Sequence, residues 1–183
     1  MNNKIQIYLG NGLFSQADRH FNVYIYSNIM SELRELNIED KVSIYVPQFN
    51  DEINDKTQFA DSKMIYKADN EMLDKADILL ALLDGSDLGL ATEVGRFAYL
   101  CEKNPAKSIL GLYSDIRQGG VTTDKINMLK NHVAESQFSY INLYTIGAIK
   151  SVGEVYNTVD MFIDAVVDKV VSLIEVKNNE KNK

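Results

Sequence analysis

The chain has 183 residues, with 26 Asp or Glu against 19 Lys or Arg, for a formal net charge of −7. Hydrophobic residues at 45% and charged residues at 25% are ordinary for a globular chain and exclude disorder as the main state, and the length allows one sizeable core without disulfides or metal. The acid excess argues against nucleic acid or an anionic membrane as the main partner, because phosphate binding needs a basic stripe; a neutral small molecule stays open.

Apolar periodicity alternates between short strand-like runs and longer helix-like ones, the pattern of a doubly wound α/β domain. Residues 5–9 read as the first strand, stopping at Gly10-Asn11-Gly12. Ser15 is placed to cap a helix reaching about residue 36, with Phe21, Ile25, Met30, Leu33 and Leu36 broadly on one face. Residues 42–46 form a second strand, closed by Pro47, which cannot donate to a ladder. A polar loop over 48–57 leads to a helix ending near Ala76. Residues 78–83 are apolar throughout, as a central strand covered on both faces requires. That is also the longest unbroken apolar run, far below the roughly 20 residues of a membrane helix.

The turn Asp84-Gly85-Ser86-Asp87 opens a helix over about 89–103, and residues 108–113 read as a fourth strand. After Gln118-Gly119-Gly120, a short helix is expected over 124–134 and a fifth strand within 138–145. The last helix is expected over about 154–176, from a capping box in Ser151-x-x-Glu154. The polar tail from Asn178 is expected to fray, leaving one domain over 1–177. The fold expected is flavodoxin-like: a five-stranded, mostly parallel sheet in the order 2-1-3-4-5 with helices on both faces. Cys101 is the only cysteine, which excludes an intramolecular disulfide. With no apolar signal region at the N-terminus, a cytoplasmic setting is expected.

In open α/β sheets ligands bind beyond the carboxyl ends of the strands, where strand order reverses. That places a crevice between the first and third strands, with the small-residue loop at Gly10 facing the acidic segment 84–93. Gly10-Asn11-Gly12 is a poor dinucleotide fingerprint: Ser15 stands where a third glycine belongs, and no acid ends the second strand. Leu90, Val94, Phe97 and Cys101 define the buried stripe of the following helix. Glu93 lies about 60° round the helix from that stripe, at the border of core and crevice. Early in the helix, the dipole favours its ionised form, which a carboxylate nucleophile requires. Taken singly, Glu93 also reads as a helix-stabilising acid, Asp87 as a cap, and Asp69 as a surface charge. His20 and His132 have no ligand spacing and are assigned to structure.

Together these residues resemble the nucleoside 2-deoxyribosyltransferases, enzymes that exchange the base of a 2′-deoxynucleoside. The segment Asp87-Leu88-Gly89-Leu90-Ala91-Thr92-Glu93-Val94-Gly95 is similar to the family's D-x-G-x-x-x-E-x-G. The resemblance implies that Glu93 is the nucleophile and that Asp87 contacts the sugar. It implies that Tyr8 orients Glu93, that Asp69 is the second catalytic acid, and that Gly10, Leu13 and Phe14 belong to the opening loop of the site. Tyr45-Val46-Pro47 and the loop through Gln48 to Asp51 are similar to the segment around the base. Asn142 falls in a segment that, in the family, enters the neighbouring subunit's site, which implies a homo-oligomer, from dimer to hexamer.

The implied reaction is a retaining double displacement in nucleoside salvage, with a 2-deoxynucleoside and a free nucleobase as partners and no metal or other cofactor. Two rival readings keep the same crevice: a deoxynucleoside or deoxynucleotide N-glycosidase, and a noncatalytic nucleoside-binding sensor. Segment 84–93 has no Lys or Arg, which favours a nucleoside over a nucleotide.

Overall fold

The computed structural model describes residues 4–51, 61–118, 123–129 and 141–181. Its five strands are β1 (Ile5–Gly10), β2 (Val42–Tyr45), β3 (Ile78–Leu82), β4 (Ser108–Leu112) and β5 (Gly153–Tyr156). They form one sheet in the order β2-β1-β3-β4-β5, every neighbouring pair parallel. The helices are α1 (Gln16–Glu35), α2 (Ser62–Lys75), α3 (Leu88–Lys103), α4 (Thr123–Leu129), α5 (Leu143–Val152) and α6 (Val159–Lys181). This is the doubly wound arrangement expected from the sequence.

Side chains alternate across a strand, so each strand feeds two cores. Ile5, Ile7 and Leu9 of β1 and Ile78, Leu80 and Leu82 of β3 join the core covered by α1 and α6. Tyr8, Leu79 and Ala81 join the opposite core, covered by α2, α3 and α5. All five residues of β3 are buried, which accounts for its unbroken apolar run.

Ser15 caps α1 by accepting from the Asp18 backbone N–H. The buried line of α1 is Asn22, Ile25, Ile29 and Leu33; Leu36, expected on that face, is the exposed C-cap residue. Asn37 follows at φ 55°, and Ile38 N–H bonds back to the Leu33 carbonyl, closing the helix in a left-handed turn.

The C-terminal third departs from the sequence expectation. The fifth strand is Gly153–Tyr156, not a segment within 138–145; residues 141–142 lead into α5, and 130–140 lie outside the described residues. Asn142 turns the chain into α5 by accepting from the Tyr144 N–H. The Ser151-x-x-Glu154 pattern is not a capping box. Ser151 Oγ donates to the Ala148 carbonyl inside α5, and Glu154 lies in β5. The final helix starts at Val159 instead, where Thr158 Oγ1 accepts from Met161 N–H. Gly153 permits this pairing: a Cβ there would lie 1.8 Å from the Ile109 carbonyl oxygen. Of the expected helix at 124–134, the described residues 123–129 are helical.

Candidate active site

The crevice forms where β1 leaves the sheet between β2 and β3, which grow away from it in opposite directions. Tyr8 is fully buried on the face covered by α2 and α3. Its hydroxyl donates to Glu93 Oε1 at 2.6 Å. Glu93 is carried by α3, whose buried residues Leu90, Val94, Phe97 and Cys101 seat the helix on the sheet as the spacing requires. Gly10 is needed for close approach: a Cβ there would meet Leu90 Cδ1 at 2.6 Å and Glu93 Oε2 at 3.1 Å. Tyr8 thus holds one carboxylate oxygen of Glu93, and the missing Cβ at Gly10 leaves room for the other.

Asp87 caps α3, its Oδ1 accepting from Leu90 N–H at 2.8 Å. The capping role and a place in the crevice therefore coexist. Asp69 projects from α2, where Tyr45 Oη donates to its Oδ1 at 3.3 Å. Asp69, Asp87 and Glu93 line one cavity of about 240 Å³ together with Leu13, Phe14 and Pro47. A second lobe of about 370 Å³, between α2 and α3, shares Asp69, Gly89 and Glu93 with the first. Ile65, Tyr66 and Leu73 form its apolar wall, and Arg96 lines it while paired to Asp74 at 2.7 Å.

Burial changes the charge state expected at this site. It pushes the Glu93 carboxyl up to about 7, against the lowering effect of the Tyr8 hydrogen bond and with added repulsion from Asp69 and Asp87. Desolvation is the largest of these effects and favours the neutral form, opposite to the helix dipole. Burial likewise raises Asp69, and the Tyr45 hydrogen bond opposes that rise. Tyr8 is raised far above the ordinary tyrosine range by burial and by Glu93, so its hydroxyl remains a donor. The carboxyls of Glu93 and Asp69, on the lining of one cavity, are thus both held above the usual carboxylate range. Among the described residues no cluster of His, Cys, Asp and Glu is arranged to hold a metal ion.

The other expected site residues fall in different places. Gln48 is buried beneath the opening loop; its amide oxygen accepts from Asn22 and its nitrogen donates to the Arg19 carbonyl. It braces the loop and is not among the residues lining either lobe. Asp51 is exposed at the edge of the described segment, and 52–60 lie outside it. Asn142 is exposed and lines a separate cavity of about 120 Å³ with Asp87, Leu88 and Ala91. Sequence reading did not single out Asn22, which accepts from Asn11 Nδ2 and donates to the Gly12 carbonyl and Gln48. Its signal was available: Asn22 lies three residues before Ile25 on the buried face of α1.

These features define a doubly wound α/β protein with an acid-lined crevice at its switch point. The sequence model of nucleoside 2-deoxyribosyltransferase matches residues 7–133. The chain belongs to that family, a class of glycosyl- and pentosyltransferases acting on nucleosides and bases. A solved structure of a conserved protein from Enterococcus faecalis V583 is 37% identical and superposes with a TM-score of 0.74, covering 92% of this chain and 98% of its own. The 2-desoxiribosyltransferase from Leishmania mexicana shares the fold at 17% identity, with a TM-score of 0.54 over 90% of this chain and 97% of its own. No curated protein matches the chain. Among the described residues, no helix is long and apolar enough to cross a membrane.

Proposed function

We propose that the protein transfers the 2-deoxyribosyl group between nucleobases, with Glu93 as nucleophile. The observation that carries this reading is the 2.6 Å bond from a buried tyrosine to Glu93 beside a second, half-buried acid, Asp69, in one cavity. Glu93 attacks C1′ of the nucleoside through one carboxylate oxygen. The C1′–N bond breaks with its electron pair going to the base, and Asp69 supplies the proton that makes the base a competent leaving group. A second base then attacks C1′ of the glycosyl ester, gives its proton to Asp69 and releases Glu93 as carboxylate. Tyr8 fixes the Glu93 rotamer throughout. Asp87, whose Oδ1 is engaged at the helix cap, offers its second oxygen to a sugar hydroxyl. Leu13, Phe14 and Pro47 flank the base.

Arg96 is paired with Asp74, and among the described residues no Lys or Arg lines the cavity shared by Asp69, Asp87 and Glu93, which supports a nucleoside over a nucleotide. Asn142 does not line the acid-bearing cavity of its own chain, and the adjacent Leu143 and Tyr144 are 80% and 86% exposed. Both facts support its entering the site of a neighbouring copy in a homo-oligomer.

The test mixes the protein with deoxyinosine and adenine. Deoxyadenosine should form, and Glu93→Ala should abolish it while leaving the circular dichroism spectrum intact. Free deoxyribose with hypoxanthine and no exchange would make the protein a hydrolase. Binding without turnover would make it a sensor.

A further inference from the structure

Tyr45 is the one aromatic hydroxyl bonded to Asp69 among the described contacts, and the proposed chemistry gives it no part. It ends β2 directly beside Tyr8, since the parallel register pairs Tyr8 with Tyr45. Paired positions in neighbouring strands point to the same face. The two rings accordingly meet at 5.3 Å between centroids, tilted by 44°. One tyrosine reaches Glu93 and its neighbour reaches Asp69.

The polarity of the second contact is set from behind. Asn50 Nδ2 donates to Tyr45 Oη at 3.1 Å. An amide N–H only donates, so the tyrosine oxygen accepts there and its own proton is directed to Asp69 Oδ1. When Asp69 is an acid, Oδ1 is already an acceptor, and its proton belongs on Oδ2.

We propose, on the transferase reading above, that Tyr45 is a positioning residue for Asp69: it holds Oδ1 and reserves Oδ2 for the proton exchanged with the base. During glycosyl transfer the Oδ2 proton moves to the departing base and Asp69 becomes a carboxylate. The Tyr45 hydrogen bond then becomes charge-assisted and strengthens, so it stabilises the transition state more than the ground state. In the second half-reaction the incoming base returns its proton to Oδ2. Tyr45 keeps its own proton in both, held there by burial and by the neighbouring Asp69 and Glu93. Other charged or titratable groups facing this acid are Tyr8 from β1, and Glu93 and Arg96 from α3, with Asp87 at the α3 cap. On α2 itself, Tyr66 lines the same lobe as Asp69, and Lys67 and Glu71 pair at the exposed surface.

Tyr45→Phe keeps the ring against Tyr8 and removes only the hydroxyl. Its kcat for base exchange should fall about tenfold to a hundredfold, the worth of a hydrogen bond to a charged group, with KM within about twofold. The alkaline limb of kcat should move to higher pH, because Asp69 loses the contact that holds its pKa down. A 4-nitrophenyl 2-deoxyriboside supplies a leaving group that needs no proton. The single-turnover burst of 4-nitrophenolate from Tyr45→Phe should match wild type within about twofold, while Glu93→Ala gives none. Unchanged exchange kinetics, an unmoved alkaline limb or an equal loss on both donors would overturn the role of Tyr45. A wild-type protein that neither exchanges bases nor releases nitrophenolate would overturn the transferase reading itself.

Discussion

At Glu93, folding and chemistry pull in opposite directions. In the unfolded chain its carboxyl ionises near 4.5; in the folded protein burial holds the proton until about pH 7. Between those values the folded state binds more protons than the unfolded state, so stability falls as pH rises. The contribution of the neutral carboxyl is fully present below pH 4.5 and lost above pH 7. A difference of that size corresponds to roughly 3 kcal/mol. Glu93→Gln keeps an oxygen for the Tyr8 hydroxyl and removes the charge. It should therefore be more stable than wild type at pH 8, by up to roughly 3 kcal/mol, and equal to it near pH 4, while exchanging no base. Urea midpoints at pH 4, 6 and 8 measure this; a difference independent of pH would mean that charge burial is not the cause. The gain of stability with loss of activity is the pattern of a site that holds its nucleophile under desolvation.

Elements differ in how plainly the sequence displays them. β3 and α3 were legible because burial on both faces or along one stripe leaves an apolar pattern, and two of the site's acids, Asp87 and Glu93, sit at the cap and in the body of α3. α2 shows why Asp69 was harder to place. Its neighbours on α2 are mostly exposed and polar, and only the Tyr45 contact and the cavity distinguish it from a surface charge. β5 was illegible for a physical reason. It is a half-exposed edge strand of four residues whose defining feature is the absence of a Cβ at Gly153, while residues 138–145 carry the Phe, Tyr, Ile and Thr of a strand. Over 142–145, local propensity yields to the Asn142 cap. That cap sharpens the test of α5. Asn142 Oδ1 is engaged by Tyr144 N–H, so the group available to a neighbouring site is its amide N–H donor. Asn142→Asp keeps the cap and deletes the donor, whereas Asn142→Ala also loses about 1 kcal/mol of helix capping. Both variants should bind deoxynucleoside at least about tenfold more weakly by calorimetry. Wild-type affinity in Asn142→Asp would remove Asn142 from any site.

For the whole molecule, the charge of −7 is not spread evenly with respect to function. Three acids meet in the cleft, while Arg96, at its edge, is neutralised by Asp74, and Lys177 is paired with Asp77 near the N-terminal end of β3. A deoxynucleoside enters such a field as a neutral molecule. Its 5′-phosphate would bring up to two negative charges toward carboxylates whose shared cavity, among the described residues, is lined by no Lys or Arg. One such pair about 8 Å apart, at an effective dielectric constant of about 20, repels by roughly 2 kcal/mol. The helix N-terminus at Leu88 offsets part of this, by about 1 kcal/mol at most for an exposed end, and Asp87 already occupies that cap. The balance still disfavours the phosphate. Deoxyinosine should therefore exceed its 5′-monophosphate in kcat/KM by at least about tenfold at low salt. The ratio should shrink as salt rises, because screening weakens a repulsion acting across solvent. It should widen as pH rises past 7, where Glu93 completes its ionisation. Parallel exchange assays with both donors at three salt concentrations measure the ratio. A monophosphate that reacts equally well at low salt would locate a cation near the sugar's 5′ end and reassign the substrate class.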